Sequence, residues 1–453
     1  MTFESGLAVY ESRVPLPLPT LEGQVTNVVG MLVEGNASGA AIGDLYRLIS
    51  RSGTVMAEVV ALKGDTAVLV PYGQVAGLCA GDRMVSAGGA AAIEVSDGLL
   101  GRVVDCLGAP LDEGPPLPRG ERRLIYNDPL PPYKRRRIKE RLNLGVRSLD
   151  AFVPCGVGQR LGIFAGAGVG KSSLLGMIAR CADADVVVLG LVGERGREVK
   201  HFVEDVIGEG MARAVVVCAT SDRPPPERVR AAFLATTVAE YFRDQGKKVV
   251  LFVDSLTRFA MAQREVGLAV GEPPTTKGYP PSTFAMLPKL LERAAPCLGG
   301  GSITGLYTVL AEGDDLSDPI ADAVMALLDG HIVLSRDLAS RGHFPAVDVL
   351  KSLSRLENEI LSGEALLCAR QIRAWLGRIE DARDLIAVGA YRPGADEELD
   401  RALEQDGRIR AFLKQGLEEY VDVKEGEQWL LGLGQAGKAS RGKRASRSGE
   451  GAA

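Results

Sequence analysis

The sequence predicts an α/β protein in which a parallel sheet, covered by helices on both faces, stands between a small N-terminal β-barrel and a C-terminal α-helical domain. Three observations support this fold class. Valine- and leucine-rich runs alternate with glycine turns up to about residue 93. Continuous apolar runs then alternate with amphipathic helices, and helices joined by short loops dominate after about residue 356.

The composition of the whole chain limits the class of protein. Its 453 residues are enough, by the usual size of domains, for roughly three of them. A net charge of -5 gives no reason to expect nucleic acid as a partner. The seven cysteines are far apart and include no Cys-x-x-Cys pair, which indicates reduced core residues of a cytosolic protein rather than a zinc site.

The N-terminus has no basic region followed by an apolar core, and no stretch of 18 uncharged apolar residues occurs. Any work at a membrane is therefore expected to be peripheral. Residues 1–20 include the stiff connector Val14–Pro19 and form either a partner-binding arm or a disordered terminus, two alternatives that remain open.

Residues 21–93 are predicted to form a small closed β-barrel whose role is assembly, because short apolar runs are separated by turn signals. The runs are Gln24–Val33, Val55–Leu62 and Thr66–Val70. The segment from Gly98 to Arg147 is irregular and rich in proline. Its basic run 134–141 could meet phosphates or an acidic partner, but we favour a solvated connector.

Residues 161–180 read as strand, glycine-rich turn and helix. Small residues let backbone N–H groups surround a phosphate chain, the helix N-terminus favours negative charge, Lys171 supplies a point charge, and Ser172 can ligate Mg²⁺. The pattern predicts a phosphate-binding loop made by Gly166, Ala167, Gly168, Val169, Gly170, Lys171, Ser172 and Ser173. A glycine-rich turn without a ligand is the disfavoured alternative. Where the consensus has glycine this chain has Ala165, which excludes a left-handed backbone more than it excludes phosphate.

Two more apolar strands end in charged residues. Val186–Val192 is followed by Glu194 and Arg195, and Lys248–Asp254 ends in a carboxylate. Because ligands bind at the carboxyl ends of parallel strands, Glu194 could polarise a water, Arg195 could meet a γ-phosphate, and Asp254 could hold Mg²⁺ through water. The plainer alternatives are a surface turn for the first pair and a capping aspartate for the last. Flanking elements are predicted at Glu198–Ile207 (helix), Ala214–Cys218 (strand) and Glu227–Arg243 (helix).

The C-terminal part is predicted to be helical. Its segments are Gly363–Val388, Asp396–Gln415 and a last one near Trp429. The basic, low-complexity stretch 438–453 is expected to be disordered. The resulting domain division is an arm (1–20), a β-barrel domain (21–93), a P-loop ATPase domain (94–360), a helical domain (361–437) and a tail (438–453).

Longer motifs carry a family resemblance over about Leu21 to Leu417. Together with the phosphate loop they resemble the export ATPases of bacterial flagella and of type III secretion injectisomes, which are RecA-like and related to rotary ATPases. The motifs are Gly193–Val199, Val253–Phe259, Arg264–Ala269, Gly271–Thr275, Gly278–Ser282, Leu290–Arg293, Tyr307–Asp315 and Leu328–Arg336.

The resemblance implies a homo-hexamer that hydrolyses ATP with Mg²⁺ at each subunit boundary. It implies that Glu194 is the catalytic carboxylate, that Arg195 and Arg258 face the γ-phosphate beside Lys171, and that Arg355 is a finger inserted into the neighbour's site. Arginine suits that task because its planar charge persists and can hold two oxygens. Phe344 and Phe412 match positions that pack on adenine, with core packing as the alternative for both.

The resemblance also implies partners and a location. These are stator and stalk proteins, export chaperones and cargo, and peripheral contact with the membrane export gate at the cytoplasmic face. We favour flagellar export, with an injectisome as the alternative. A rotary ATP synthase catalytic subunit is disfavoured by the export-type stretches at 271–282 and 307–315. An RNA translocase is disfavoured because Tyr46 and Tyr72 are the only aromatic residues of the barrel segment.

Overall fold

The computed structural model describes residues 22–311, 318–361 and 363–445, with side chains up to residue 434. The predicted arm (1–20), residues 312–315 of one export-type motif and the last part of the predicted tail (446–453) lie outside these ranges. The chain divides into two compact units, of which the first holds residues up to 92 together with 224–227 and 265–272. Within the described ranges, no helix combines the length and apolar character that crossing a membrane requires.

The first unit contains a closed antiparallel barrel of six strands in the order β1-β2-β5-β4-β3-β6, which confirms the predicted barrel. The strands are β1 (Glu22–Val29), β2 (Leu32–Asn36), β3 (Asp44–Ser50), β4 (Gly53–Lys63), β5 (Thr66–Tyr72) and β6 (Arg83–Ala90). Val33, Leu48 and Met84 are among the side chains that fill the interior. The prediction of one run over Gln24–Val33 was wrong, because Gly30 turns the chain at φ +58° and splits it into β1 and β2.

The two tyrosines of the barrel are buried. Tyr46 is 0% and Tyr72 is 7% exposed. Base stacking needs an accessible ring face, so neither tyrosine offers a platform for single-stranded nucleic acid.

Short strands lead into the second unit. They are β7 (Ala92–Val95), β8 (Val103–Val104), β9 (Glu121–Leu124), β10 (Arg141–Leu142) and β11 (Cys155–Gly156). The basic run 134–141 is anchored by specific contacts. Arg135 pairs with Glu292 at 2.6 Å, Arg141 donates to the Asp150 carbonyl at 2.6 Å, and Glu140 pairs with Lys248. The solvated-connector prediction therefore holds only for exposed members such as Arg137.

The second unit is built on an eight-stranded sheet in the order β18-β17-β12-β16-β15-β13-β14-β8. Its further strands are β12 (Arg160–Ala165), β13 (Val186–Val192), β14 (Ala214–Ala219), β15 (Lys248–Asp254), β16 (Ser302–Leu310), β17 (Gly330–Leu334) and β18 (Leu353–Ser354). All neighbouring pairs are parallel except β17 and β18. The predicted strands 186–192 and 248–254 are confirmed, and the predicted strand at 214–218 is one residue longer.

Both faces of this sheet are buried. Along β13, Val187, Leu189 and Leu191 belong to the core on one face, whereas Val186 and Val188 belong to the core on the other. Because successive side chains of a strand point to opposite faces, a strand buried on both sides must be apolar at every position. The continuous apolar runs of the sequence have this cause.

Helices pack on the two faces of the sheet and make up the C-terminal part of the chain. They are α1 (Arg147–Phe152), α2 (Lys171–Cys181), α3 (Gly196–His201), α4 (Pro225–Asp244), α5 (Leu256–Ala269), α6 (Pro281–Leu291), α7 (Pro319–Leu327), α8 (Arg336–Ser340), α9 (Glu357–Ile360), α10 (Gly363–Asp381), α11 (Arg383–Ala387), α12 (Glu397–Leu413) and α13 (Val423–Ala445). The helix predicted over 198–207 is α3 followed by a π-helical turn at 202–207. The long helix predicted from 227 is α4.

The C-terminal helices pack into the same core as the phosphate-loop helix. Phe412 on α12 meets Phe152 at 6.3 Å and Trp429 at 5.3 Å between ring centroids, and the guanidinium of Arg147 lies over Trp429 at 4.8 Å. The predicted domain boundary at 360 remains a prediction, since one core contains residues from both sides of it.

The end of the chain differs from its prediction. The backbone of α13 is helical to Ala445, although disorder is predicted from residue 438. Alanine, lysine and arginine are good helix formers, and extending an existing helix avoids the cost of nucleation. All seven cysteines are free thiols; Cys106, Cys155 and Cys218 are buried as predicted, whereas Cys79 is exposed.

Candidate active site

The phosphate-binding loop connects the end of β12 to the start of α2. Gly168 and Gly170 have φ angles of +77° and +92°, which a residue with a side chain rarely adopts. Ala165 is the last residue of β12, is buried, and pairs with Leu310 and Leu334 on the two flanking strands. Its backbone is therefore extended, so alanine at this position costs the loop nothing.

The remaining loop residues take their places around this turn. Gly166 and Val169 are buried, whereas Ala167 is exposed at the crest of the loop. Ser172 and Ser173 lie in the first turn of α2, with Ser172 exposed. The first helical turn leaves its backbone N–H groups without intrahelical partners, which is the arrangement that binds phosphate oxygens.

Three strand ends bring Lys171, Glu194 and Asp254 together. The Lys171 Nζ lies 3.4 Å from Glu194 Oε1 and donates a hydrogen bond to Asp254 Oδ1. The Asp254 and Glu194 side chains are 5% and 13% exposed, and Lys171 is also 13% exposed. β12, β15 and β13 run in parallel, so their carboxyl ends share one edge of the sheet, here called the carboxyl edge. The sequence prediction that these three residues converge agrees with this geometry.

Thr308 completes the cluster, and the sequence analysis did not identify it. Its hydroxyl lies 2.6 Å from Asp254 Oδ1, and the residue is fully buried on β16, the neighbour of β15. The hydroxyl thus donates to the same carboxylate oxygen that accepts from Lys171. The strand Ser302–Leu310 carries three small hydroxyl side chains, at Ser302, Thr304 and Thr308, so its sequence offers no signal that singles out Thr308.

Arg258 is the second cation that contacts Glu194. Its Nη1 lies 3.2 Å from Glu194 Oε2 and also donates to the Gly193 carbonyl. Gly193 has φ +73°, and a Cβ there would approach the Arg258 Cδ to 3.0 Å. Glycine at this position therefore lets the arginine reach across the turn to the carboxylate.

Arg195, predicted to face the γ-phosphate, lies outside this buried cluster. Its side chain is 63% exposed and pairs with Glu198 at 3.1 Å. It starts the exposed helix α3, so its predicted role requires movement toward a bound nucleotide.

The surroundings of Glu194 raise the pKa of its carboxyl group above the ordinary 4.5. Burial is the largest cause, and the negative charge of Asp254 adds to it, whereas Lys171 and Arg258 act in the opposite direction. A base of raised pKa is better matched to proton transfer near neutral pH than an ordinary glutamate.

The oxygen donors at this edge fit Mg²⁺. The Ser172 hydroxyl and the Asp254 carboxylate belong to the same loop-and-strand cluster, and Mg²⁺ prefers one or two protein oxygens, completed by water and phosphate. Across the described residues, no group of three or more His, Cys, Asp or Glu side chains could hold a metal ion by itself. The chain therefore offers a partial ligand set of the kind that a metal bound with a nucleotide completes.

The two predicted adenine contacts have different surroundings. Phe344 is 44% exposed, and its ring lies 3.5 Å from where a Cβ on Gly170 would be, so it stands beside the phosphate loop. Phe412 is 0% exposed and packed between Phe152 and Trp429. The adenine prediction for Phe412 is corrected to its alternative, core packing, because a fully enclosed ring has no free face.

Arg355 lies at the opposite edge of the sheet, here called the amino edge. Its N–H donates to the Asp329 carbonyl at 3.0 Å, and the Asp329 N–H donates to the carbonyl of Arg160, the first residue of β12. At ~3.3 Å per residue, Arg355 is about 16 Å along the strands from the phosphate loop of its own chain. Arg355 is exposed, and its guanidinium makes no ion pair with any residue that the structure describes.

Known protein families match most of the chain. The family model of the ATP synthase alpha/beta family, nucleotide-binding domain, matches residues 145–354, and that of the T3SS EscN ATPase C-terminal domain matches residues 361–431.

Individual relatives are similar over nearly the full length. The flagellum-specific ATP synthase of Pseudomonas aeruginosa is 47% identical, covering 97% of this chain and 99% of that protein. The type 3 secretion system ATPase of Xanthomonas euvesicatoria is also 47% identical, covering 87% of this chain and 89% of that protein. The assembled ATPase EscN of the enteropathogenic E. coli type III secretion system matches with a TM-score of 0.86 at 43% identity, covering 91% of this chain and 100% of the solved one.

Proposed function

We infer that this chain, which belongs to the ATP synthase alpha/beta family and within it to the flagellar and type III secretion ATPases, hydrolyses ATP to drive protein export. The observation that carries the inference is the convergence of Lys171, Glu194 and Asp254 at one edge of the sheet, next to a phosphate-binding loop. Family membership supports the reaction, and the roles of individual residues are our proposal.

In the proposed reaction the loop amides and Lys171 bind the phosphate chain. Phosphoryl transfer needs little covalent chemistry from the protein, so charge and position supply most of the rate enhancement. Lys171 contacts both carboxylates, so a phosphate chain in the loop would compete with them for the same ammonium group.

Glu194 is the proposed group that orients the attacking water and accepts its proton. Arg258 and the ammonium of Lys171 hold its carboxylate from two sides, which limits the positions that the water can occupy. Ser172 and Asp254 are the residues that would hold Mg²⁺. When bound, that ion neutralises charge on the phosphate oxygens. Phe344, beside the loop, is the proposed contact for adenine.

Arg355 is the proposed finger that acts on a neighbouring subunit. Its distance from the loop of its own chain excludes a role there without unfolding of the sheet edge, and its guanidinium is exposed. We propose a ring of six in which the amino edge of each protomer faces the carboxyl edge of the next. The likeness to the assembled EscN structure supports this arrangement.

We propose flagellar export as the system that this ATPase serves. Most of the similar curated proteins are named flagellum-specific ATP synthases, and fewer are named type 3 secretion system ATPases. An injectisome is the second candidate, favoured by the match to the EscN C-terminal domain. Deleting the gene should abolish secretion of flagellar filament protein; a strain that still secretes it and loses a virulence effector would point to the injectisome.

The proposed partners are a central stalk, a stator, chaperones and cargo at the cytoplasmic face of the membrane export gate. EscN has been solved in complex with its central stalk EscO, and that structure matches this chain with a TM-score of 0.84. Its likeness supports a stalk as the first partner to test by co-purification.

The proposed function is tested by measuring ATP turnover against protein concentration, with sizing in parallel. Specific activity should rise as the ring assembles. Arg355→Ala should leave nucleotide affinity of the dilute protein nearly unchanged but lower the assembled rate by about 10³-fold or more, as removing a finger does. Arg392→Ala, at another exposed arginine, is the matched control. A rise in specific activity that persists in Arg355→Ala would exclude a finger in trans.

A further inference from the structure

A cluster of four charged residues, linked by ion pairs, leads to the backbone of Arg355. Arg160 Nε lies 3.2 Å from Asp329 Oδ2, and the Arg160 N–H donates to the same oxygen at 3.1 Å. The backbone of Asp329 bonds in turn to the N–H of Arg355. The turn from which the finger projects is thus held by Arg160 through both main chain and side chain.

The other side of Arg160 is held by Glu292. Arg160 Nη1 pairs with Glu292 Oε1, and Arg135 Nη1 lies 2.6 Å from Glu292 Oε2. Burial acts to raise the pKa of Glu292, but the hydrogen bonds from Arg135 and Arg160 hold it below its usual value. With 14% of its side chain exposed, Arg160 makes bidentate contacts that confine the guanidinium plane.

The strand that carries the finger is short and closely fitted. β18 has two residues, and Gln159, which is fully buried, donates to Ser354 Oγ at 3.0 Å and to the Asp329 carbonyl at 3.2 Å. A Cβ on Gly330 would approach the Leu353 carbonyl oxygen to 2.4 Å. A strand of two residues does not by itself fix the direction of Arg355, which follows it. The charged cluster supplies the further constraint on that direction.

We propose that Arg160 is a positioning residue for Arg355, fixing the Asp329 turn so that the finger meets the neighbour's phosphates in the correct direction. The proposal rests on the proposed finger in trans. The guanidinium of Arg160 is 14% exposed and engaged by Glu292 and Asp329, so it acts through Arg355 and not on the substrate itself. The alternative is that the cluster only stabilises the sheet edge.

The test compares Arg160→Lys in the parental background and in Arg355→Ala. Lysine keeps the charge but loses the fixed fork that holds two carboxylates. Assembled kcat should fall about tenfold, since a misplacement of ~1 Å costs up to about 10²-fold, while KM for ATP stays within about twofold. In Arg355→Ala the same change should have almost no further effect, because the group that Arg160 positions is already absent.

Arg123→Lys is the matched control. The Arg123 side chain is 15% exposed and also pairs with two carboxylates, Asp244 at 2.6 Å and Glu121 at 3.1 Å, away from the finger. It should leave assembled kcat unchanged. Glu292→Gln is a milder second change, should Arg160→Lys fail to fold; it should lower kcat by about threefold in the parental background only.

Three outcomes decide the proposal. A loss confined to the parental background supports it. The same loss in both backgrounds overturns it, because a merely structural role would act independently of Arg355. No loss in the parental background also overturns it. Arg355→Ala alone tests the proposed finger in trans separately. If that proposed function is wrong, this variant keeps the parental rate of ATP turnover in the assembled protein.

Discussion

The proposed functional side chains at the two edges of the central sheet differ in whether their charges are paired. At the carboxyl edge, the largely buried carboxylates of Glu194 and Asp254 are paired with the cations of Lys171 and Arg258. At the amino edge, Arg355 is exposed and makes no ion pair within the described residues. A self-compensated site at one edge and an uncompensated cation at the other support our proposal that the complete reaction site needs two copies of the chain. Changes at the carboxyl edge should therefore act on a single chain, and changes at the amino edge only on an assembly.

The largest expected effect tests the carboxyl edge directly. Lys171→Ala removes the cation that contacts both Glu194 and Asp254, and ATP turnover should fall below detection in dilute and assembled protein alike, because phosphate charge is no longer compensated. Phosphate release measures the rate, and circular dichroism should show an intact fold. Lys248→Ala, at an exposed pair with Glu140, is the control. Residual ATP turnover that rises normally with assembly would contradict the role assigned to the carboxyl edge.

Glu194→Gln should separate binding from chemistry at the same edge. The amide keeps the size of the side chain but cannot accept a proton, so kcat should fall by about 10²- to 10⁴-fold with ATP affinity nearly unchanged. Equilibrium binding and single-turnover hydrolysis measure the two quantities. Glu198→Gln, at an exposed carboxylate paired with Arg195, is the matched control. Hydrolysis at the parental rate would show that the role assigned to Glu194 is wrong.

The pH dependence of the hydrolysis rate should also reflect the role of Glu194. Because the pKa of Glu194 is raised above 4.5, the acid limb of the pH–rate profile should have its midpoint above 4.5. The folded state binds this proton more tightly than the unfolded state, so the contribution of Glu194 to stability is present at low pH and is lost as pH rises through the folded pKa. Thermal unfolding of Glu194→Gln should lack this component. An acid limb centred at or below 4.5 would contradict the assignment.

The smallest expected effects distinguish the two phenylalanines. Phe344→Leu should weaken ATP binding by a few-fold without changing stability, because its ring is exposed beside Gly170. Phe412→Leu should leave affinity unchanged and lower the free energy of unfolding by about 1 kcal/mol, as a hydrophobic swap in a packed core does. Nucleotide titration measures the ATP affinity, and denaturant unfolding measures the free energy of unfolding. Equal effects of the two changes on affinity would restore Phe412 to the nucleotide site.

Much of the fold could be predicted from sequence, because its strongest signals are local. The strands Val186–Val192 and Lys248–Asp254 are apolar at nearly every position, and this pattern identifies a strand buried on both faces without knowledge of its neighbours. The convergence of Lys171, Glu194 and Asp254 followed from the general rule that parallel strands present their carboxyl ends at one edge.

The rest depended on contacts between residues distant in the chain. Thr308 gains its role from the pairing of β15 with β16, a strand that the sequence analysis did not predict. The basic run looked solvated because its partner Glu292 lies 157 residues away from Arg135. Phe412 was assigned to adenine by the family resemblance, and matching a position along an apolar helix does not show whether its side chain meets a ligand or another helix.

The finger Arg355 and the pocket that would receive a finger lie at opposite edges of one sheet, and this has an arithmetic consequence. When protomers join head to tail in an open row, the row always has one complete pocket fewer than it has protomers. At one end Arg355 has no neighbouring pocket, and at the other end a pocket has no neighbouring Arg355. Only a closed circle gives every pocket its arginine and every arginine its pocket. Ring closure would thus bring the last unmatched Arg355 to the last incomplete pocket. Its completion would be visible as a final increase in ATP turnover per chain.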